Sequence, residues 1–255
     1  MNEERLIEYY NKFNEDKRLT TMHGQVEFLT AMKYIHRYIK KGDKVLDIGA
    51  GTGKYSISLY NEGYDITAIE LVKHNLRVLE KNEPNIKAYQ GNALNLKFND
   101  NTFDIVLLFG PMYHLISFED KIKALNEAKK VTKPNGLIFV SYCMNEYAVI
   151  THGFIDNNIN ESIKNNLVDK SFKITPVETD LYSFVRLKDI NKLNKECKLK
   201  RIKILNQDGP TEYIKKTINK MDKETFDNYL KYHFKTCEYK ELLGSGRHIL
   251  DIIKK

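Results

Sequence analysis

A chain of 255 residues with 42% hydrophobic residues can bury one large core, with or without a small cap. Its net charge of +7 comes mostly from Lys spread along the chain, which is more typical of a solvated surface than of a nucleic-acid interface. The three cysteines lie far apart, which argues against a disulfide framework or a metal site. The charged N-terminus and the lack of a run of ~20 apolar residues predict a cytoplasmic protein without a membrane partner.

The first part of the chain has a helical pattern. Residues 1–41 are amphipathic, with apolar side chains at Phe28, Met32, Ile35 and Ile39. From residue 42 onwards the pattern alternates between strands and helices. Predicted strands cover residues 45–48, 65–70, 86–90, 103–109 and 137–142, and predicted helices cover 55–61, 72–81 and 119–131. This alternation predicts a mostly parallel sheet that is covered on both faces and binds ligands beyond the carboxyl ends of its strands.

The second half of the chain is less regular. Residues 133–136 predict a turn, and the polar, Asn-rich residues 145–180 predict a helical or irregular insertion after the fifth strand. We then expect a helix over 190–197, a strand over 199–205, helices over 212–219 and 223–234, and a last strand over 247–253. The insertion at about 145–180 and the segment at 211–243 are expected to form a substrate cap.

Three glycines separate the first predicted strand from the helix that follows it. Gly49, Gly51 and Gly53 allow a tight turn and a close approach of a ligand to the backbone. A P-loop would need glycine at Ile48, with four residues between it and the Gly53-Lys54 pair, and a dinucleotide fingerprint would need glycine at Lys54. Asp47, directly before the loop, would repel a pyrophosphate, whereas it suits a ligand with an ammonium or sulfonium group.

The motif Asp47-Ile-Gly49-Ala-Gly51-Thr-Gly53, the acid Glu70 after the second strand and the run 109–115 together resemble class I S-adenosylmethionine (SAM)-dependent methyltransferases. The similarity is best with bacterial small-molecule members of the methyltransferase 11/25 type, and it covers about residues 40–142. The resemblance implies a Rossmann-like α/β fold with a mostly parallel seven-stranded sheet, SAM as cofactor and S-adenosylhomocysteine as product. It divides the chain into an N-terminal helical lid, residues 1–41, and a SAM-binding domain, residues 42–255.

The resemblance also implies which residues hold the cofactor. The glycine loop would contact the methionine part of SAM, and Asp47 its ammonium group. Glu70 would accept both ribose hydroxyls, and Arg18, in a lid segment with Tyr10 and Phe13, would pair with the carboxylate of SAM. The implied cofactor-binding residues are Arg18, Asp47, Gly49, Ala50, Gly51, Gly53, Glu70, Leu71, Asn92, Ala93 and Phe109.

Two residues after the fourth strand are candidates for the transfer step. His114 has an ordinary pKa near neutrality and is a candidate general base. Tyr113 is a candidate for orienting the acceptor or facing the sulfonium. The competing interpretation is that both residues pack the loop and cap the next helix.

The predicted function is methyl transfer from SAM to a small-molecule acceptor by in-line displacement. The run Gly110-Pro111-Met112-Tyr113 lacks the Asp/Asn-Pro-Pro-Tyr/Phe pattern of enzymes that methylate base amino groups, which argues against nucleic acid. The alternatives are a methyltransferase that acts on RNA or protein and a non-catalytic SAM-binding protein.

Overall fold

The fold is built around one eight-stranded sheet, seen in a computed structural model that describes residues 3–12 and 18–255. The strand order is β3-β2-β1-β4-β5-β8-β7, and the two-residue β6 pairs with β5 outside this path. β1 to β5 are parallel, and β8 lies antiparallel between β5 and β7. The prediction of a mostly parallel sheet is therefore confirmed. The strands are β1 Lys44–Ile48, β2 Asp65–Glu70, β3 Lys87–Gln90, β4 Phe103–Leu108, β5 Thr132–Met144, β6 Phe184–Val185, β7 Lys200–Asn206 and β8 His248–Lys254.

Helices cover both faces of this sheet. They are α1 Glu3–Lys12, α2 Met22–Tyr38, α3 Lys54–Asn61, α4 Lys73–Asn82, α5 Pro111–His114, α6 Phe118–Val131, α7 Asn145–Ala148, α8 Ile159–Lys164, α9 Leu187–Glu196, α10 Lys215–Ile218 and α11 Lys223–Thr236. A π-helix, Val149–Ile155, follows α7, and 3₁₀ turns occupy Gly209–Glu212 and Lys240–Leu242. No helix within residues 3–12 and 18–255 is both long and apolar enough to cross a membrane.

The core lies in two layers because successive residues of a strand point to opposite faces. On β4, Val106 and Leu108 pack into the cluster under α6 and α9, whereas Ile105 and Leu107 pack into the cluster under α2 and α3. All four are buried. The continuous apolar strands of the sequence are therefore covered on both sides, as predicted.

Two local predictions were wrong. The turn expected over 133–136 is instead a bulge inside β5. Phe103 pairs with Thr132 and Ile105 pairs with Leu137, so residues 133–136 have only one residue of β4 opposite them and bulge out of the ladder. The helix expected over 212–219 is replaced by the 3₁₀ turn and the single turn of α10. There the Thr211 hydroxyl bonds back to the Asp208 carbonyl, which favours a turn over a continuous helix.

The N-terminal region has two described helices. α2 packs on the sheet, and α1 contacts α4 near the carboxyl ends of the strands. Arg5 of α1 donates to the carbonyl of Thr179, so that α1 also reaches the segment after α8. Residues 13–17, including Phe13 of the predicted lid, lie outside the described residues.

Candidate active site

A single pocket at the carboxyl ends of the parallel strands contains almost every residue selected from the sequence. Its lining includes all of the predicted cofactor-binding residues except Gly53, together with Tyr113 and His114. Most of these residues follow β1, β2, β3 or β4, and the parallel order of those strands brings their ends to one edge. We call the part around the glycine loop, Glu70 and Asn92 the cofactor end, and the part around Tyr113, Tyr182 and His248 the acceptor end.

The glycines of the loop are required for different reasons. Gly49 has φ +75°, and a Cβ there would lie 2.6 Å from Cδ of Pro111, the first residue of α5 directly after β4. Gly53, with φ +92°, is the N-cap of α3, and a Cβ there would lie 2.8 Å from Cγ of Leu79. Gly49 therefore lets two loops meet at the pocket, whereas Gly53 lets α3 approach α4.

Two buried carboxylates form the floor of the cofactor end. Glu70 accepts the N–H of Gly51 at Oε2 and the N–H of Val72 at Oε1, each over 2.8 Å. Burial raises the pKa of Glu70 to about 7. Asp47 accepts the hydroxyl of Ser56 over 2.6 Å, and burial raises the pKa of its carboxyl to about 6. The side chain of Asn75 also hydrogen-bonds to Glu70, and the two carboxylate oxygens together still offer lone pairs to a ligand hydroxyl.

These acids fit SAM better than they fit a phosphate ligand. Desolvated carboxylates are costly unless a cation or hydrogen-bond donors compensate for them. SAM brings an ammonium group, a sulfonium group and two ribose hydroxyls, whereas a pyrophosphate would add further negative charge beside Asp47 and Glu70. At the adenine side, Asn92 forms a turn in which its Oδ1 accepts the N–H of Leu94 over 2.8 Å.

His114 is held at both ring nitrogens. Its Nδ1 lies 2.8 Å from the carbonyl oxygen of Leu181, which can only accept, so Nδ1 carries the hydrogen. Nε2 then accepts from the hydroxyl of Tyr10 over 2.9 Å. Burial lowers the pKa of His114 to about 4. The expectation that this imidazole titrates near neutrality was therefore wrong, and the ring is neutral at physiological pH.

Tyr113 is anchored next to it. Its hydroxyl donates to Oγ of Ser141 over 2.7 Å, and burial raises the pKa of the phenol well above its ordinary value. Its ring lies 5.2 Å from the ring of His248. Tyr113 is thus a fixed wall of the acceptor end and stays protonated.

The N-terminal helix α1 forms one wall of the pocket. Leu6 and Tyr10 of α1 belong to the lining, and the ring of Tyr10 meets His114 edge to face at 5.5 Å. Tyr9 contacts the ring of Tyr182, and the two hydroxyls lie 3.2 Å apart. Arg18, which also lines the pocket, pairs with Glu27 over 2.7 Å. The pocket is therefore enclosed between the sheet edge, α1 and the segment around Tyr182.

The sequence analysis missed two cationic residues of the acceptor end, Arg247 and His248. Because β8 is antiparallel to β5, its first residue lies at the edge where β5 ends. Nδ1 of His248 lies 2.8 Å from Asp208 and 3.6 Å from Glu27. Burial acts to lower the pKa of His248, but the two carboxylates outweigh it and raise the pKa to about 10. The sequence pattern predicted a strand here but gave no sign of its direction.

A second cavity of about 390 Å³ adjoins the acceptor end. It lies among the residues after β5, and its wall includes Val149, Ile159 and Phe184. Tyr182 lines both cavities. The volume of this second cavity falls within the range of roughly 300–1,000 Å³ that is typical of small-molecule sites.

Comparisons with known proteins agree with this geometry. Residues 39–188, more than half of the chain, match the family described as methyltransferase domain. A demethylmenaquinone methyltransferase of Paenarthrobacter aurescens (strain TC1) is 38% identical over 104 residues, which are 40% of each protein. An eEF1A lysine and N-terminal methyltransferase homolog of Drosophila melanogaster is 30% identical over 118 residues, which are 44% of this chain and 18% of that protein. The chain thus spans less than half the length of these relatives.

A solved structure shows the same fold. The SAM-dependent methyltransferase of Methanosarcina mazei superposes with a TM-score of 0.59 at 17% identity, over 87% of this chain and 96% of that one. The family match over residues 39–188 includes β1 to β5, the glycine loop and Glu70. The chain therefore belongs to the methyltransferase domain family, in its class I SAM-dependent form.

Proposed function

We propose that this protein transfers the methyl group of SAM to a small-molecule acceptor that enters the pocket beside Tyr113 and His114. The enclosure of the acceptor end by Leu6, Tyr10 and Tyr182 supports this proposal most directly. A folded protein or an RNA duplex would need an open groove at this point. The name of the P. aurescens relative, a demethylmenaquinone methyltransferase, points to a small-molecule acceptor as well.

In this proposal the cofactor lies along the ends of β1, β2 and β3. Asp47 faces the ammonium group, Glu70 the ribose hydroxyls, and Leu71, Asn92 and Ala93 border the adenine. Gly49, Ala50, Gly51 and Phe109 border the methionine part, and Arg18 pairs with its carboxylate. When bound, SAM supplies an activated methyl group on sulfur.

The contribution of the protein is alignment and the exclusion of water. Tyr113 is anchored by Ser141 and gives the acceptor a rigid surface. His114, neutral and with its hydrogen on Nδ1, offers the Nε2 lone pair to an acceptor hydroxyl or amine when Tyr10 releases it. This arrangement orients a nucleophile, whereas the low pKa makes His114 a weak base.

We also propose that residues 1–41 act as a lid and that residues 145–180 and 211–243 form a cap. α1 lies over the pocket, and the Tyr10–His114 hydrogen bond occupies the space through which an acceptor reaches the transfer site. Opening of α1 therefore precedes acceptor binding. The cavity within the first cap segment gives an acceptor room beyond Tyr182.

A labelling experiment tests the proposal. The purified protein is incubated with methyl-labelled SAM and three separate fractions of a cell extract: small metabolites, RNA and protein. We expect label only in the small-metabolite fraction, and a Tyr113→Ala variant serves as the inactive control. Label in the RNA or protein fraction would show that the acceptor is a macromolecule and would overturn the proposal of a small-molecule acceptor. The D. melanogaster relative, named for protein methylation, makes the protein fraction the main competitor. SAM binding without any transfer would indicate a non-catalytic binding protein.

A further inference from the structure

We propose that the methyl acceptor is a small organic anion whose negatively charged group is held by Arg247 and His248. This inference rests on the function proposed above and specifies its substrate class. Nothing in the family match assigns a role to either residue, because residues 247 and 248 lie outside the matched range 39–188.

The charges that line the pocket are divided between its two ends. The lining carboxylates, Asp47 and Glu70, both lie at the cofactor end. The positive side chains of the lining are Arg18, Lys54, Arg247 and His248, and of these Arg247 and His248 lie at the acceptor end. Cationic walls in an enclosed, weakly solvated site favour an anion because water does not screen the interaction.

The counter-ions of the two cations stand away from the cavity. Glu27, Asp208 and Glu212 pair with His248 or Arg247, yet the described lining contains none of them. The three carboxylates thus contact the cations outside the cavity, and a ligand inside the cavity would contact the cations themselves.

Arg247 has hydrogen-bonding capacity to spare. Its Nη1 lies 3.4 Å from Oε2 of Glu212, the one carboxylate within ion-pair range in residues 3–12 and 18–255. The guanidinium carbon lies 5.7 Å from the ring centre of Tyr147. A guanidinium carries five N–H donors in a planar fork that matches a carboxylate, so donors remain for a ligand.

His248 is held in one orientation. Asp208 accepts both its backbone N–H, over 3.0 Å, and its Nδ1, over 2.8 Å. The contacts with Glu27 and Asp208 outweigh burial and keep this ring protonated at neutral pH. Nε2–H is then the donor left for a ligand, and Tyr113 contacts the ring on one side. A ligand anion therefore meets a fixed N–H donor beside the guanidinium.

The carboxylate of SAM is the competing occupant of this site. The glycine loop follows β1, whereas His248 begins β8, so that three strand spacings, about 14 Å, separate the loop from His248. Arg18, the proposed partner of the cofactor carboxylate, pairs with the same oxygen of Glu27 that lies 3.6 Å from Nδ1 of His248. The Kd of SAM in the Arg247 variants therefore distinguishes the two occupants.

Fractionation of the acceptor pool is the first test. A metabolite extract is separated by anion exchange at pH 7.5, and each fraction is incubated with the protein and methyl-labelled SAM. We expect the labelled product only from retained, anionic compounds. Transfer to an acceptor in the unretained fraction would overturn this inference while supporting the proposed methyltransferase. Failure of SAM binding and of all transfer would instead overturn the proposed function.

Paired substitutions test the site itself. Arg247→Gln combined with Glu212→Gln removes the guanidinium together with its paired carboxylate, and Glu212→Gln alone controls for the loss of the contacts of Glu212 with His23 and Lys215. We expect the KM of the purified acceptor to rise about tenfold or more, as for loss of a charge-assisted hydrogen bond, with the Kd of SAM within twofold. Arg37→Gln, which removes an arginine paired with Glu238 away from the pocket, should change neither value.

A milder variant keeps the test decisive if the double variant does not fold. Arg247→Lys keeps the charge but removes the planar fork, so we expect an intermediate rise in acceptor KM. Unchanged acceptor KM in either folded variant would refute the assignment of Arg247. A weakening of SAM affinity equal to that of the acceptor would place the cofactor carboxylate at this site instead.

Discussion

The backbone N–H of Gly51 donates to Oε2 of Glu70 over 2.8 Å, so that one carboxylate ties the loop after β1 to the end of β2. The other oxygen of Glu70 accepts the N–H of Val72 and starts the turn into α4. The group proposed to bind the ribose therefore also shapes the loop proposed to bind the methionine part. The charge state of the Glu70 carboxylate should therefore affect both the position of the glycine loop and the binding of the ribose.

The first prediction is that SAM affinity rises with pH between 5.5 and 7.5. In the free protein the pKa of Glu70 is about 7 and that of Asp47 about 6, both raised by burial. A cationic ligand favours the ionised forms, so binding releases protons, and affinity is lost as pH falls through these values. We expect a loss of at least about tenfold between pH 7.5 and 5.5, measured by calorimetry. Glu70→Gln should flatten most of this slope, and pH-independent affinity in the unaltered protein would contradict the prediction.

The second prediction concerns the close approach at Gly49. Gly49→Ala should weaken SAM binding about tenfold or more, because the added methyl group would lie 2.6 Å from Cδ of Pro111 and displace the loop. Gly63→Ala is the matched control. It has φ +90°, so it carries a similar backbone strain, but no atom lies within 4 Å of its added methyl group. Equal Kd values for the two variants would show that contact with Pro111 does not position the loop.

The third prediction concerns the lid. Tyr10→Phe removes the hydroxyl that donates to Nε2 of His114, a hydrogen bond worth about 1 kcal/mol. We expect hydrogen exchange of the α1 amides to speed up about fivefold, while the sheet amides keep their rates. Tyr232→Phe on α11, an exposed ring, provides a comparable deletion outside the pocket. If α1 exchanges no faster than in that control, the hydrogen bond does not hold the lid closed.

The fourth prediction separates orientation from base catalysis at His114. His114→Ala should lower kcat about tenfold or more and change the Kd of SAM less than threefold. Because the pKa of this imidazole is about 4, wild-type turnover should show no His114-dependent inflection between pH 6 and 8. An inflection in that range that disappears in the variant would restore the general-base role. His36→Ala, an exposed histidine paired with Glu62, controls for the loss of an imidazole elsewhere.

The cofactor end could be predicted from the sequence because its residues are local. Asp47, Gly49 and Gly51 are contiguous, and the Rossmann-like alternation places Glu70 at the next strand end. The apolar strands also predicted a sheet with two covered faces. These features depend on periodicity and spacing, which a sequence displays directly.

The acceptor end could not be predicted in the same way. Arg247 and His248 reach the pocket only because β8 runs antiparallel beside β5, and strand direction depends on long-range pairing. The low pKa of His114 also depends on distant residues, since burial lowers it and outweighs the hydrogen bond to the carbonyl of Leu181, which acts to raise it. The bulge within β5 resembled an ordinary turn because Pro134, Asn135 and Gly136 suit both structures.

The position of β8 has a consequence for the order of assembly. β8 comes later in the chain than β5 and β7, the two strands between which it is placed. The glycine loop and Glu70 can form their bonds while the remainder of the chain is still being synthesised. The part of the pocket lined by Arg247 and His248 forms only once β8 has been inserted between β5 and β7, so the residues proposed to hold the methyl donor come earlier in the chain than those proposed to select its acceptor.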